Sequence, residues 1–135
     1  MILTSLTRFR DTGLLMLRIA LGLFFIYVHG WPKLAGGFAK WKELGHAMQV
    51  LHIHFTPVFW GFMAAFSESI GAAFFALGLF FRPSCILLVM TMSIASFLEI
   101  KSKHGINAAS HPIELCILFF CLIFIGPGKY SIDKN

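Results

Sequence analysis

The chain has 135 residues, 58% of them apolar and only 13% charged, with sixteen Phe and a net charge of +5. Soluble domains carry roughly 45–50% apolar and about 25% charged residues, so an ordinary water-soluble globule is excluded and lipid is the expected solvent. The basic residues are spread over loops and termini without a Lys/Arg run or a binding motif, which argues against a nucleic-acid partner and fits contact with anionic headgroups.

The first apolar segment covers about residues 13–31. Its approach, MILTSLTRFRDTGLLMLRIALGLFF, is basic and then apolar, like a secretion leader. Arg18 interrupts the apolar part and no small-x-small cleavage site follows, so it reads as a retained transmembrane helix. Arg18, Gly22, Phe25 and His29 recur at three- and four-residue steps and share one face. Next comes GGFAKWKELGHAMQVLHIHF, in which Phe38, Trp41, Leu44, Met48, Leu51 and Phe55 recur at helical spacing. This predicts an amphipathic helix over about 37–52, lying in the membrane interface or capping the bundle.

The second span, about 57–81, is opened by Pro57 and contains Glu68 with no other charge within ten residues. Gly61, Ala64, Ala65, Gly71, Ala72 and Phe75 share its face, so Glu68 is expected to point across a small-residue seam toward the first span. A mid-bilayer carboxylate costs about 2.5–3.5 kcal/mol on insertion scales, so it requires a partner. Arg18, permanently charged and able to bind bidentately, is the first choice and His29 the second. By helical rise Arg18 lies roughly 8 Å and Glu68 about 18–20 Å from the same membrane boundary, a gap the guanidinium would partly close. A structural clamp and a functional site both remain open readings of such a pair.

A tight turn at Phe81-Arg82-Pro83 makes the third span, about 83–100, an antiparallel hairpin with the second. Its Thr91, Ser93 and Ser96 are assigned to packing. The fourth span, about 112–126, is opened by Pro112 and closed by Gly126-Pro127-Gly128. Cys85, Cys116 and Cys121 read as buried thiols, with no pairing motif. His111 and Glu114 open the fourth span one turn apart. Glu99 and His104 end the third, and His52 and His54 follow the amphipathic segment. No HExxH and no i, i+4 His pair occurs, so no metal site is expected. The set reads as headgroup-solvated side chains or as the rim of a polar pocket for a quinone-like headgroup or protons. Four spans put both termini on one side. That side holds all four Arg and six bases against five, which places it in the cytoplasm, while all six His fall on the other side.

GLLMLRIALGLFFIYVHGWPKLAGGF, with Arg18, His29, Gly30, Lys33 and Leu34, resembles the opening of the DoxX family of small bacterial membrane proteins. AFSESIGAAFFALGLFFRP, with Glu68, Gly78 and Arg82, is similar to that family's second span, and GPGKYSID to its closing segment. The resemblance covers nearly the whole chain as a single domain. It implies a four-helix bundle in the bacterial inner membrane with cytoplasmic termini. One namesake is a subunit associated with thiosulfate:quinone oxidoreductase, others are linked to redox-stress complexes, and no catalytic residues carry over.

Together these readings predict an all-α, integral membrane four-helix bundle with an interfacial helix between spans one and two. The leading functional expectation is a subunit of a quinone-linked redox system, with a soluble or membrane redox partner or a second copy of itself. Arg18 and Glu68 would form the polar floor of a quinone pocket, and His29, His111 and Glu114 its outer mouth. No self-sufficient catalytic motif and no flavin, haem or iron–sulfur motif is present in the sequence. A non-enzymatic assembly subunit is the alternative, and a small-solute transporter ranks third because no inverted repeat is evident.

Overall fold

A backbone in lipid satisfies its polar groups only within helices or a closed barrel, and this chain takes the first course. The computed structural model describes residues 3–102 and 104–134, and no strand occurs among them. Lys103, one of the bases counted above, lies outside the described residues. Among the described residues, four helices are long and apolar enough to cross a bilayer: α1 (Leu3–Ala35), α3 (Pro57–Leu77), α4 (Phe81–Lys101) and α5 (Gly105–Ile125). The helix α2 (Gly37–Gly45), continued by 3-10 turns over His46–Leu51, joins the first two spans. The all-helical membrane bundle is the one that composition and apolar runs predicted.

Proline placement explains most of the differences in boundaries. α1 does not stop at Trp31. It passes through a π-helical turn, Ile26–Gly30, in which the Trp31 N–H donates to the Ile26 carbonyl, and continues through Pro32 to Ala35. Pro32 has no N–H and crowds the carbonyl four residues earlier. A widened turn just upstream relieves that crowding, so this proline marks a bulge and not an end. The turn between α3 and α4 falls at Gly78 and Phe80, both with left-handed φ, and not at Phe81-Arg82-Pro83, which forms the first turn of α4. α5 begins at Gly105, well before Pro112, which is buried inside it. Apolarity begins at Pro112, but the polar stretch before it is already helical.

The amphipathic segment departs most from expectation. α2 neither lies flat nor caps the bundle: it folds back antiparallel along the first turns of α3. Gly45 meets Pro57 and Trp41 meets Gly61, steps of four residues in opposite directions. A Cβ at Gly61 would overlap the Trp41 carbonyl oxygen, and one at Gly45 the Pro57 carbonyl oxygen. Two glycines therefore permit backbone-to-backbone contact between the helices. The apolar stripe is used in part. Trp41, Leu44 and Met48 face inward, while Phe38, Leu51 and Phe55 are exposed. Trp41 is fixed by its indole N–H, which donates to the Lys33 carbonyl at 3.0 Å, and by an edge-on contact with Phe62. Gly61→Ala is expected to destabilise the fold by about 3 kcal/mol, the upper end for overpacking. The thermal midpoint in detergent checks this, and an unchanged midpoint would refute the close approach.

The core sits nearer the terminal side. Phe25 of α1, Phe75 of α3, Phe81 of α4 and Phe119 of α5 are buried together, with adjacent ring centroids 5.3–5.6 Å apart. The predicted face of α1 is the inward one: Arg18, Gly22 and Phe25 are buried and His29 half-buried. Gly22 rests against Ala72 and Ala76, and Gly30 against the backbone of Glu68, which makes the seam between α1 and α3. Thr91, Ser93 and Ser96 each donate to a carbonyl one turn back. Of the cysteines, Cys85 is buried, Cys116 half-buried and Cys121 exposed, so the expectation of three buried thiols fails at Cys121.

Candidate functional site

α3 carries a π-helical turn of its own, Ser67–Gly71, in which the Ala72 N–H reaches back to the Ser67 carbonyl. Ser69 contributes to it: its hydroxyl donates to the Ala65 carbonyl at 2.5 Å and competes with the regular ladder. This turn packs on the π-helical turn of α1, with Gly30 against the Glu68 backbone. Widened turns of this kind recur at functional positions. Glu68 sits in the middle of the contact. Lys33, in the last turn of α1, donates from Nζ to Glu68 Oε2 in a close ion pair. The carboxylate side chain is 3% exposed and the lysine side chain 26%.

The pair forms the polar end of a cavity of about 370 Å³ walled by α2, α3 and α4. The walls are mostly apolar, including Met48, Phe59, Met63, Leu87, Met90 and Ile94. Thr91 adds a hydroxyl whose oxygen is hydrogen-bonded with the Ser67 hydroxyl at 3.0 Å, next to Glu68 in the chain. Trp60 also lines the cavity, and its indole nitrogen is buried with no hydrogen-bond partner among the described residues. Small-molecule sites have this character, an apolar cleft of roughly 300–1,000 Å³ with a few placed polar groups.

The expected pairing of Arg18 with Glu68 does not occur. Arg18 is buried, and its guanidinium donates from Nη1 to the Pro127 carbonyl at 2.9 Å and from Nη2 to the Tyr130 carbonyl. It lies toward the terminal side, where the chain after α5 folds back under the bundle and brings carbonyls to it. Lys33 takes the carboxylate because α1 runs one turn beyond its expected end. Gly78 leaves the space the guanidinium needs, since a Cβ there would overlap Nη1. Around this clamp the tail is bonded on both sides. The Lys129 N–H donates to Asp11 Oδ1 at 3.1 Å, and the Asp133 carboxylate accepts the Phe80 and Phe81 N–H groups at 3.0 and 2.8 Å. The GPGKYSID ending is thus a strap across the terminal end.

The expected outer mouth is divided. The His29 and His111 rings come together, centroids 6.1 Å apart, with Phe25 on the other side of His29. Neither imidazole lines the cavity, and neither does Arg18. Glu114 is exposed and belongs to neither group, because α5 buries Ala109, Pro112, Phe119 and Leu122, which lie on the opposite side of the helix. Glu99 and His104 lie 3.6 Å apart and face outward. No group of three or more metal-ligating side chains occurs among the described residues.

Two residues of the cavity have no place in the sequence reading as site residues. Lys33 lies beyond the expected end of the first span at Trp31, although its four-residue step from His29 and eleven from Gly22 continue the inward stripe. Trp60, with Trp31 and Trp41 near one membrane boundary, fits either an aromatic belt or a pocket wall from sequence, the belt first.

The DoxX family model matches residues 13–99, well over half of the chain. The chain belongs to the DoxX family. No curated protein and no solved structure matches it. With four spanning helices, this DoxX protein is an integral, multi-pass membrane protein. The matched stretch contains the Lys33–Glu68 pair, both π-helical turns and the residues that line the cavity. The strap at 126–133 lies beyond it.

Proposed function

We propose that this DoxX protein is the membrane subunit of a quinone-linked redox system and that its cavity binds the quinone ring. The supporting observation is a buried Lys33–Glu68 ion pair at the end of an otherwise apolar cavity between membrane helices. A quinone, when bound, supplies two-electron chemistry that takes up two protons. Lys33 can donate a hydrogen bond from Nζ to a ring carbonyl, and the ion pair with Glu68 holds Nζ at the end of the cavity. Met48, Met63, Met90 and Ile94 exclude water from the ring and accept an isoprenoid-like body. A partner dehydrogenase would supply the electrons. We place the protein in the bacterial inner membrane with both termini cytoplasmic, supported by the confinement of Arg8, Arg10, Arg18 and Arg82 to the terminal side.

Native mass spectrometry of the purified protein, followed by titration with decylubiquinone in nanodiscs, tests the reading. A retained or saturably bound quinone is expected. Ala64→Leu, which fills the cavity from α3, should weaken binding about tenfold, since it takes up the ring's space and removes its contacts. No bound quinone by either method would reject the reading, and a copurifying client protein without quinone would favour an assembly role.

A further inference from the structure

We propose that the cleft between the start of α4 and the strap binds the phosphate headgroup of an anionic phospholipid, held by Arg82 and Lys134. This site is separate from the Lys33–Glu68 cavity and does not depend on what that cavity holds. The cleft is open, measures about 310 Å³, and is lined by Arg82 and Lys134 together with Pro83, Pro127 and Asp133. Arg82 belongs to the first turn of α4, and its Nε donates to the Ile123 carbonyl at 3.0 Å. That bond ties the side chain to the end of α5 and leaves both Nη groups without a partner among the described residues. Lys134 has no hydrogen bond or ion pair among them either.

Charge is unbalanced over the whole terminal face. Arg8, Arg10, Arg82, Lys129 and Lys134 are exposed on it, and none is ion-paired among the described residues. Its acids are already engaged. Asp11 accepts the Lys129 N–H, and Asp133, which lines the cleft, accepts the Phe80 and Phe81 N–H groups. An anion is therefore the complementary ligand, and depth in the membrane selects which one. Arg82 opens a span, so its guanidinium lies at headgroup level. One turn deeper, Ile86 follows Arg82 on the same face of α4 and Phe120 precedes Ile123 on α5, and both are exposed. A diacyl lipid places its phosphate between Arg82 and Lys134 and its chains along those apolar side chains. A free phosphate or an acidic peptide makes no use of them. The phosphate oxygens match the paired Nη groups of Arg82, and Lys134 adds a point charge from the strap. A lipid held by both residues pins the strap to α4.

The test uses the full chain, delipidated in a neutral detergent, and isothermal titration with dioctanoyl phosphatidylglycerol, dioctanoyl phosphatidylcholine and inorganic phosphate. Phosphatidylglycerol should bind saturably, about tenfold more tightly than phosphatidylcholine, and should raise the thermal midpoint. Lys134→Gln should weaken it about fivefold, the effect of one base at a charged headgroup surface. Arg82→Gln should weaken it about tenfold or more, since the paired donors are lost as well. Lys129→Gln, on the same face but outside the cleft, should change it less than twofold. Lys134 bonds to nothing else among the described residues, so its variant decides the matter even if Arg82→Gln does not fold. Equal losses in Lys134→Gln and Lys129→Gln would show diffuse attraction to the face and overturn the site. Inorganic phosphate that binds as tightly as phosphatidylglycerol, or equal binding of the two lipids, would overturn the assignment to an anionic lipid. Absence of saturable phosphatidylglycerol binding would overturn the proposal outright.

Discussion

Replacing Lys33 by Met should destabilise the protein by about 3–5 kcal/mol, and adding Glu68→Gln to the same chain should restore most of that loss. The single change leaves a carboxylate buried against the backbone of α1 with no countercharge. A buried pair adds little net stability over neutral groups, but half of one is strongly destabilising. The double variant leaves a neutral amide beside a thioether, which the seam between α1 and α3 tolerates. Ligand binding should behave differently. The double variant has lost both charged groups, and a hydrogen bond to a charged group contributes about 1.5–3 kcal/mol. Quinone affinity should therefore fall about ten- to hundredfold while the fold recovers. Thermal denaturation in detergent and titration in nanodiscs measure the two effects separately. Full affinity in the double variant would assign the pair to structure alone.

The membrane class, the four spans and the inward faces of α1 and α3 were legible because each follows from local chemistry. Apolar runs of bilayer length must be helical, and small residues at helical spacing must meet another helix. Glu68 as the centre of a site was legible for the same reason, since an isolated carboxylate in an apolar run requires a partner. The identity of that partner was not. Rise per residue along ideal helices made Arg18 and His29 the reachable groups, and the end of the apolar run ended the first span at Trp31. Two π-helical turns invalidate that geometry, one beside Pro32 and one at Ser69, and they carry Lys33 to the carboxylate. The cavity wall was hidden by a similar assumption. The stripe of Trp41, Leu44 and Met48 identifies an amphipathic helix but does not say which surface it meets. Gly45 and Gly61, which allow it to fold back on α3, become informative only when read as a pair across a turn.

Replacing Arg18 by Ala should cost about 3–5 kcal/mol, and deleting the strap after Gly126 should cost a similar amount. Two hydrogen bonds to a charged donor account for most of the first figure. The two changes together should cost little more than either alone, because both break the same contact and neighbouring changes are not additive. Arg18→Lys should rescue only part of the loss. The planar fork of the guanidinium reaches the Pro127 and Tyr130 carbonyls from separate nitrogens, and a single ammonium lacks that geometry. The strap also carries Asp133, whose carboxylate occupies the N-terminus of α4 and accepts the N–H of Phe80, a residue held at a left-handed φ of +46°. Losing it removes a helix cap worth about 0.5–2 kcal/mol and frees the turn between α3 and α4. The cavity lies toward the opposite side and shares no residue with the strap. Arg18→Ala should therefore lower the thermal midpoint while leaving quinone affinity within about twofold in protein that remains folded, since sites without shared partners are close to additive. A large loss of affinity with an unchanged midpoint would instead return Arg18 to the ligand site where the sequence first placed it.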